Sequence, residues 1–250
     1  MMRGLWISIF GAMRPDGGSL PHQRPGDTVY QGRVKLMQPL KGFRAGSDSL
    51  LLAAALAEKA GGTALELGCG CGGALLPAAF RMPGMRFTGV EIDAGMAALA
   101  EAGVAANGFD GRVMVEAGDA SVWVKAHENQ FDLVFANPPY FEPGRISQPG
   151  EGKAAAYLES LDVSGWVKAM VFAARPRAPV VLVHRAAELA RILAALDRQT
   201  GDITVLPVAP KPGQEARRVL VRGRKGLKRG PVRLLAPIHL HEASGERSET

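Results

Sequence analysis

A short apolar run that leads into a glycine-rich loop, and then into a second apolar run, limits the folds open to this chain. Residues 63–67 are typical of a buried strand, residues 68–73 contain four glycines, and residues 74–76 begin a helical pattern. Gly68, Gly70 and Gly72 let the backbone approach a ligand where any Cβ atom would collide. The sequence therefore predicts a ligand site at a strand–loop–helix junction of an α/β fold.

The spacing within this loop disfavours a pyrophosphate ligand. The glycines do not follow the GxGxxG pattern of dinucleotide-binding loops, and no Gly-Lys-Ser/Thr follows them. Glu66 stands at the end of the strand, where a carboxylate would repel phosphates and attract an ammonium group. We interpret the combination as a site for an amino-acid sulfonium, namely S-adenosylmethionine.

A second predicted strand, over residues 87–93, also ends in acidic residues. It lies about 20 residues after the loop, where folds of this class place a ribose-binding carboxylate. Glu91 is the candidate ribose ligand, and Ile92 is the candidate contact for an adenine face. Asp93 is instead a candidate cap for a helix over residues 94–106.

A third predicted strand, over residues 113–116, is followed by Asp119 and Ala120. The Asp119 carboxylate could accept a hydrogen bond from an adenine amino group. A carboxylate in such a place is more often a helix cap. Acidic residues at three successive strand ends nevertheless indicate a cofactor site that includes Asp119 and Ala120.

The sequence Asn137-Pro138-Pro139-Tyr140 follows a fourth predicted strand, over residues 131–136. Two prolines in succession end the strand in a rigid turn, because each lacks a backbone N–H and has a fixed φ. The side-chain oxygen of Asn137 and the carbonyl of Pro138 are then free to accept hydrogen bonds, and Tyr140 offers a flat face. Such a turn suits a planar substrate that carries an exocyclic amine. A purely structural proline turn is the alternative.

The remaining pattern predicts a doubly wound α/β sheet of the Rossmann-like kind, mostly parallel, with a C-terminal antiparallel hairpin. One helix is expected to begin at a cap formed by Ser47 or Asp48 and to stop at Gly61-Gly62. Further helices are expected over residues 161–174 and 186–198, and a strand over residues 179–183. The hairpin strands are expected over residues 203–208 and 218–221, because a short link between neighbouring strands implies antiparallel pairing. The expected organisation is a mobile segment at 1–26, one domain at 27–234 and a tail at 235–250.

Positive charge is concentrated near the end of the chain. The net charge is +6, and nine of the 30 Lys and Arg residues lie between Lys211 and Arg233, where Glu215 is the only acid. A solvated face is one explanation. Binding of a polyanion such as RNA is the other, which we favour. The candidate substrate contacts in this segment are Arg217, Arg218, Arg222 and Lys225.

Other classes of site find little support. Cys69 and Cys71 are one residue apart, which suits neither a disulfide nor a zinc site, so small buried thiols in a reducing cytoplasm are expected. His239 and His241 lack a surrounding cluster of acidic or Cys residues, and no metal is predicted. No apolar run approaches the ~20 residues needed to span a bilayer.

Residues 28–242 resemble the class I S-adenosylmethionine-dependent methyltransferases, and more narrowly the bacterial valine-tRNA adenine-N6 methyltransferases. The motifs that carry the resemblance are Gly42-Phe43-Arg44 with residues 47–52, the cofactor loop at 65–70, Asn137-Pro138-Pro139-Tyr140-Phe141, and a C-terminal set at 217–221, 225–226 and 239–242. The resemblance implies methyl transfer to adenine N6 in tRNA. Asn137, Pro138 and Tyr140 would be catalytic, Asn137 would also border the cofactor, and Phe141 would contact the substrate.

Three alternatives stay open at this level. The same turn occurs in enzymes that methylate a glutamine of release factors, although those carry a sizeable N-terminal helical domain. Ribosomal RNA is a second possible substrate. A protein that binds the cofactor without catalysis is a third possibility, which an intact Asn-Pro-Pro-Tyr turn disfavours.

Overall fold

The computed structural model describes residues 27–40, 44–140 and 162–241. Predictions for residues 1–26, for Gly42 and Phe43, for Phe141 and the loop after it, and for residues beyond 241 lie outside the described residues. The described part begins with a small antiparallel hairpin, β1 (Asp27–Val29) and β2 (Val34–Leu36).

A central sheet follows, with nine of the described strands. These are β3 (Gly62–Leu67), β4 (Met85–Glu91), β5 (Val113–Ala117), β6 (Leu133–Ala136), β7 (Pro179–Arg185), β8 (Thr200–Ala209), β9 (Arg218–Lys225), β10 (Arg233–Leu234) and β11 (Ile238–His239). The described α-helices are α1 (Ser47–Ala55), α2 (Leu75–Arg81), α3 (Ala94–Ala106), α4 (Ala120–Trp123), α5 (Val163–Ala173) and α6 (Leu189–Leu196).

The strand order across the sheet is β5-β4-β3-β6-β7-β9-β8-β10, and β11 also pairs with β8. Strands β5, β4, β3, β6 and β7 are mutually parallel, whereas β9 runs antiparallel to both β7 and β8. The predicted fold class, with its mostly parallel sheet and C-terminal antiparallel hairpin, is confirmed. The chain reverses its direction of winding between β3 and β6, and such a reversal opens a crevice at the carboxyl ends of the strands.

Alternating side chains of the strands pack into two apolar layers, one on each face of the sheet. Leu133 and Phe135 of β6 pack on one face of the sheet, in the cluster that includes residues of α1, α2 and α3. Val134 and Ala136 pack on the other face, with residues of α4, α5 and α6. The near-continuous apolar character of β6 follows from this burial on both faces.

Several predicted bounds need correction. Helix α1 ends at Ala55 rather than at Gly61-Gly62. Its N-cap residue is Gly46, and no side-chain hydrogen bond caps the helix, so neither Ser47 nor Asp48 is its cap. The predicted helix over residues 186–198 is a short 3-10 turn followed by α6. The hairpin strands are longer than predicted, because pairing along β8 and β9 continues past the apolar residues into polar ones.

Candidate active site

The carboxyl ends of β3, β4 and β6 meet at one edge of the sheet, beside the reversal. Leu67 at the end of β3 is in register with Val90 of β4 and with Ala136 of β6. This register brings Glu66, Glu91 and Asn137 to the same edge. The loop after β3, the end of β4 and the Asn-Pro-Pro-Tyr turn after β6 therefore border one crevice.

The glycine loop depends on left-handed backbone conformations. Gly68, Gly70 and Gly72 have φ of 68°, 55° and 84°, which side chains other than glycine adopt at a cost. A Cβ atom on Gly68 would also lie 2.9 Å from a ring carbon of buried Trp166. The amide of Gly68 donates to the Val90 carbonyl over 2.8 Å, which fixes the start of the loop against β4.

Glu91 holds the glycine loop in place through hydrogen bonds to backbone amides. It is 5 % exposed, and its Oε2 accepts a hydrogen bond of 2.8 Å from the Gly70 amide. Its Oε1 accepts one of 2.9 Å from the Asp93 amide. Burial raises the pKa of Glu91 above its usual value, although these backbone bonds oppose the shift. The side chain of Asp93 accepts from the Gly95 and Met96 amides, so it caps α3 as the sequence suggested.

Glu66 is the most unusual ionisable group of the crevice. It is 2 % exposed, and its Oε2 has no hydrogen-bond partner among the described residues. Burial raises its pKa well above the usual value, and the negative charge of Glu91 adds to the rise. Glu66 lines a pocket together with Ser49, Gly68 and Asn137. A buried acceptor of this kind fits a cationic ligand group, because a cation would satisfy the oxygen and offset the cost of its burial.

The candidate adenine contacts lie farther along the same edge. The Gly118 amide donates to the Glu91 carbonyl over 2.8 Å, which joins the end of β5 to the end of β4. Asp119 uses Oδ1 to accept from the Ser121 amide at 2.7 Å and the Ser121 hydroxyl at 2.6 Å, and so caps α4. Ile92 is half-buried. Ala120 is buried as the first residue of α4. The cofactor roles of these residues stay a prediction.

Asn137 projects into the pocket that contains Glu66. Its Nδ2 donates to the Ser49 hydroxyl over 3.4 Å, and its Oδ1 lies 3.2 Å from the Tyr140 hydroxyl. Pro138, the next residue, is buried. The amide of Asn137 thus contacts a residue of α1 on one side and a residue of its own turn on the other.

Tyr140 is enclosed by three residues from distant parts of the chain. Its hydroxyl donates to Asp48 Oδ2 over 2.7 Å, and Arg218 Nε donates to the same oxygen over 2.8 Å. The Arg218 guanidinium lies over the Tyr140 ring, 4.7 Å from its centroid, and His184 meets the ring edge-on with centroids 5.0 Å apart. Burial lowers the pKa of His184 to about 4. The flat face predicted for Tyr140 is therefore covered on one side by Arg218.

Sequence reasoning missed Asp48, Ser49 and His184 as site residues. Asp48 was expected as a helix cap but binds Tyr140 and Arg218 instead. Ser49 is buried in the first turn of α1, and nothing in the local sequence marks it as a site residue. The sequence does contain a signal for His184, because it is a polar residue directly after the apolar part of β7, near the end of that strand.

The predicted basic segment is divided by the direction of β9. Arg218 pairs with Arg185 at the end of β7, on the site edge, whereas Lys225 pairs with Thr200 at the start of β8. Arg222 forms an ion pair of 3.1 Å with Asp202, and Lys225 Nζ donates to Asn129 Oδ1 over 2.8 Å. The structure therefore brings Arg218 and exposed Arg217 to the site, but not Arg222 or Lys225. Their role in substrate binding stays a prediction.

Two classes of feature are not found among residues 27–40, 44–140 and 162–241. No helix there is both long and apolar enough to cross a membrane. Within the same ranges, no group of three or more His, Cys, Asp or Glu side chains is arranged to hold a metal ion.

Comparison with known proteins agrees with this architecture. Residues 44–150 match the family model of the methyltransferase small domain. A crystal structure from Agrobacterium tumefaciens, described as a "predicted O-methyltransferase", is 25% identical, with a TM-score of 0.63, and the match covers 80% of this chain and 91% of that one. The chain has the class I methyltransferase fold. An S-adenosylmethionine-dependent O-methyltransferase from Thermotoga maritima, 17% identical with a TM-score of 0.54, shares this fold over 76% of this chain and 69% of its own.

A curated relative narrows the similarity. It is named a tRNA1(Val) (adenine(37)-N6)-methyltransferase, comes from Porphyromonas gingivalis, and is 33% identical over 126 residues, which are 48% of this chain and 49% of the relative. The chain thus spans about half the length of this curated relative. The predicted resemblance to class I methyltransferases of this kind is confirmed. The family match and the fold also support S-adenosylmethionine as the cofactor.

Proposed function

We propose that this protein is an S-adenosylmethionine-dependent N-methyltransferase that modifies the exocyclic N6 of adenine in tRNA. One observation carries the proposal. The Asn137 amide lines the same pocket as the unpaired carboxylate oxygen of Glu66 and the glycine at position 68. A cation-binding group and an amine-orienting group therefore border one space.

The residues present fit the cofactor. Glu66 would bind its ammonium group, and the loop at Gly68 and Gly70 would pass close to its amino-acid part. Glu91 would bind the ribose, in addition to its support of the loop. Ile92, Asp119 and Ala120 would border the adenine. When bound there, S-adenosylmethionine supplies a methyl group on a positively charged sulfur.

The substrate amine requires orientation more than activation by a strong base. Its lone pair is delocalised into the adenine ring, which makes the nitrogen a weak nucleophile. Hydrogen bonds from its two N–H groups to Asn137 Oδ1 and the Pro138 carbonyl favour a pyramidal nitrogen and aim the lone pair at the methyl carbon. As the bound cofactor gives up its methyl group to the nitrogen, Asn137 and the Pro138 carbonyl would keep the amine in place, and the nitrogen would release one proton. Positioning and fixed dipoles supply most of the rate enhancement.

The site edge also offers positive charge for a polyanion. Arg217 is exposed at the start of β9, next to Arg218, and the loop between β8 and β9 contributes Lys211 on the same edge. Phosphates of an RNA could contact these side chains while a base enters the crevice. A base in an RNA loop is already partly unstacked, so little free energy is needed to extrude it. The name of the relative from Porphyromonas gingivalis favours tRNA among RNAs, and tRNA implies a cytoplasmic site of action.

Methyl transfer to isolated RNA tests the proposal. Purified protein is incubated with labelled S-adenosylmethionine and with tRNA or ribosomal RNA from a strain that lacks the gene. Modified nucleosides are then identified by mass spectrometry. We expect N6-methyladenosine in tRNA, and its loss with Asn137→Ala. Transfer to ribosomal RNA alone, or to the glutamine of a release factor without transfer to RNA, would refute the tRNA assignment.

A further inference from the structure

The Tyr140 hydroxyl faces two acceptors and has one proton to give. Asp48 Oδ2 lies 2.7 Å from the hydroxyl oxygen, and Asn137 Oδ1 lies 3.2 Å from it. The shorter contact goes to the charged acceptor, and charge-assisted hydrogen bonds are about twice as strong as neutral ones. The proton therefore resides on the Asp48 side, and Asn137 Oδ1 receives little of it.

We propose that Asp48 is a positioning residue that keeps the Tyr140 hydroxyl from donating to Asn137, so that Asn137 Oδ1 stays available to the substrate amine. This inference rests on the proposed function, since it concerns the same transfer step. It assigns a role to a residue that contacts neither the amine nor the methyl group.

Neighbouring contacts hold this arrangement in place. Arg218 Nε donates to the oxygen of Asp48 that accepts from Tyr140, and the two side chains are 30% and 18% exposed. The arginine fixes the orientation of the carboxylate. On the other side of the Asn137 amide, Nδ2 donates to the hydroxyl of Ser49, the residue after Asp48. Residues in the first turn of α1 therefore act at both ends of the Asn137 amide, Ser49 directly and Asp48 through Tyr140.

Removal of Asp48 alone should create a competitor for the substrate. The Tyr140 hydroxyl would then donate to Asn137 Oδ1, the remaining acceptor at its side, and the amine would have to displace that bond. The expected loss in kcat is roughly 3- to 10-fold, the effect of one neutral hydrogen bond. Removal of the hydroxyl in the same protein should relieve the competition.

A double-mutant cycle separates this role from a structural one. The proteins are wild type, Asp48→Ala, Tyr140→Phe and the double variant, each checked for folding by thermal denaturation and for cofactor affinity by calorimetry. We expect Asp48→Ala to lower kcat in the presence of Tyr140 but to have little effect in the Tyr140→Phe background, so that the double variant is faster than Asp48→Ala. Asp48→Asn, which keeps a neutral acceptor, should fall between wild type and Asp48→Ala.

An equal loss of kcat in both backgrounds would overturn the proposal. Such a loss would show that Asp48→Ala acts by leaving Arg218 without its partner, which happens whether or not the Tyr140 hydroxyl is present. A second measurement does not depend on catalysis. Burial, followed by the Asp48 carboxylate, raises the pKa of Tyr140. Ultraviolet titration, with Tyr140→Phe to identify its signal, should show a lower pKa for Tyr140 in Asp48→Ala, and an unchanged one would refute the hydrogen bond. Absence of methylation by wild-type protein would instead refute the proposed function, whichever way Tyr140 titrates.

Discussion

Glu66→Gln should change stability and cofactor affinity in opposite directions. The carboxylate is buried, and one oxygen has no partner among the described residues, so the protein without cofactor bears the cost of a buried polar group. An unpaired buried group typically costs about 1–3 kcal/mol. Glutamine removes the charge at nearly the same shape but keeps a polar group there, so the free energy of unfolding at pH 8 should rise by about 1 kcal/mol, the low end of this range.

The same substitution removes the proposed partner of the cofactor's ammonium group. Loss of one member of a buried, hydrogen-bonded charge pair costs about 2–5 kcal/mol, which corresponds to roughly a 30- to 4000-fold weaker dissociation constant. Calorimetry with S-adenosylhomocysteine, which keeps the ammonium group, measures this change in the dissociation constant. Glu101→Gln is a suitable control, since it makes the same chemical change on the exposed side of α3.

The pH dependence of stability provides a second, independent test of the buried Glu66 carboxyl group. Burial, with the charge of Glu91, raises the pKa of Glu66 in the folded state. Between the usual carboxyl pKa and this raised value, the folded protein holds a proton that the unfolded chain has lost. The contribution of Glu66 to stability is therefore fully present below that window and is lost as pH rises through it. Urea denaturation should show this slope in wild type and a smaller one in Glu66→Gln. Wild-type cofactor affinity in the variant would refute the assignment of Glu66 to the ammonium.

Three other substitutions test separate parts of the site. Asn137→Ala should lower turnover by about 100- to 1000-fold with unchanged cofactor affinity in calorimetry, because its acceptor acts mainly in the transition state; near-wild-type single-turnover rates would make the turn structural. Gly68→Ala should destabilise the protein by at least about 1–2 kcal/mol in urea denaturation, given its positive φ and the contact with Trp166. Arg217→Glu should flatten the salt dependence of RNA binding, at about 0.7 per lost phosphate contact, whereas Lys228→Glu, at another exposed position, should not; equal slopes for both would remove Arg217 from the interface.

The parts of the site that sequence reasoning found are those fixed by local order. Glu66, Glu91 and Asn137 each stand at the end of an apolar run, and parallel strands place such ends at one edge. The Asp93 cap was likewise readable from its position before a helical pattern. Local order is enough in these cases, because the strand that positions the residue is the strand that the sequence shows.

The parts that sequence reasoning missed depend on contacts between distant segments. Asp48 is 92 positions from Tyr140 and 170 from Arg218. In the sequence it stands where an N-terminal cap is expected, and only the tertiary structure shows that its carboxylate points to the turn after β6. The covered face of Tyr140 was unpredictable for the same reason, since Arg218 arrives from an antiparallel strand.

The direction of β9 decides which basic residues can serve the site. A parallel strand would bring its last residue to the carboxyl edge, but β9 is antiparallel to β7 and therefore brings its first residue, Arg218. Lys225 lies seven residues further along, about 23 Å away at the rise of a strand. A nucleic acid whose base reaches Asn137 would thus meet Arg217 and the loop after β8 first, and would have to extend along the sheet to reach Lys225. The nine basic residues near the end of the chain are thus spread along β9 and the segments beside it rather than gathered in one strip, and Lys211, Arg217 and Arg218 are the ones that share an edge with the crevice.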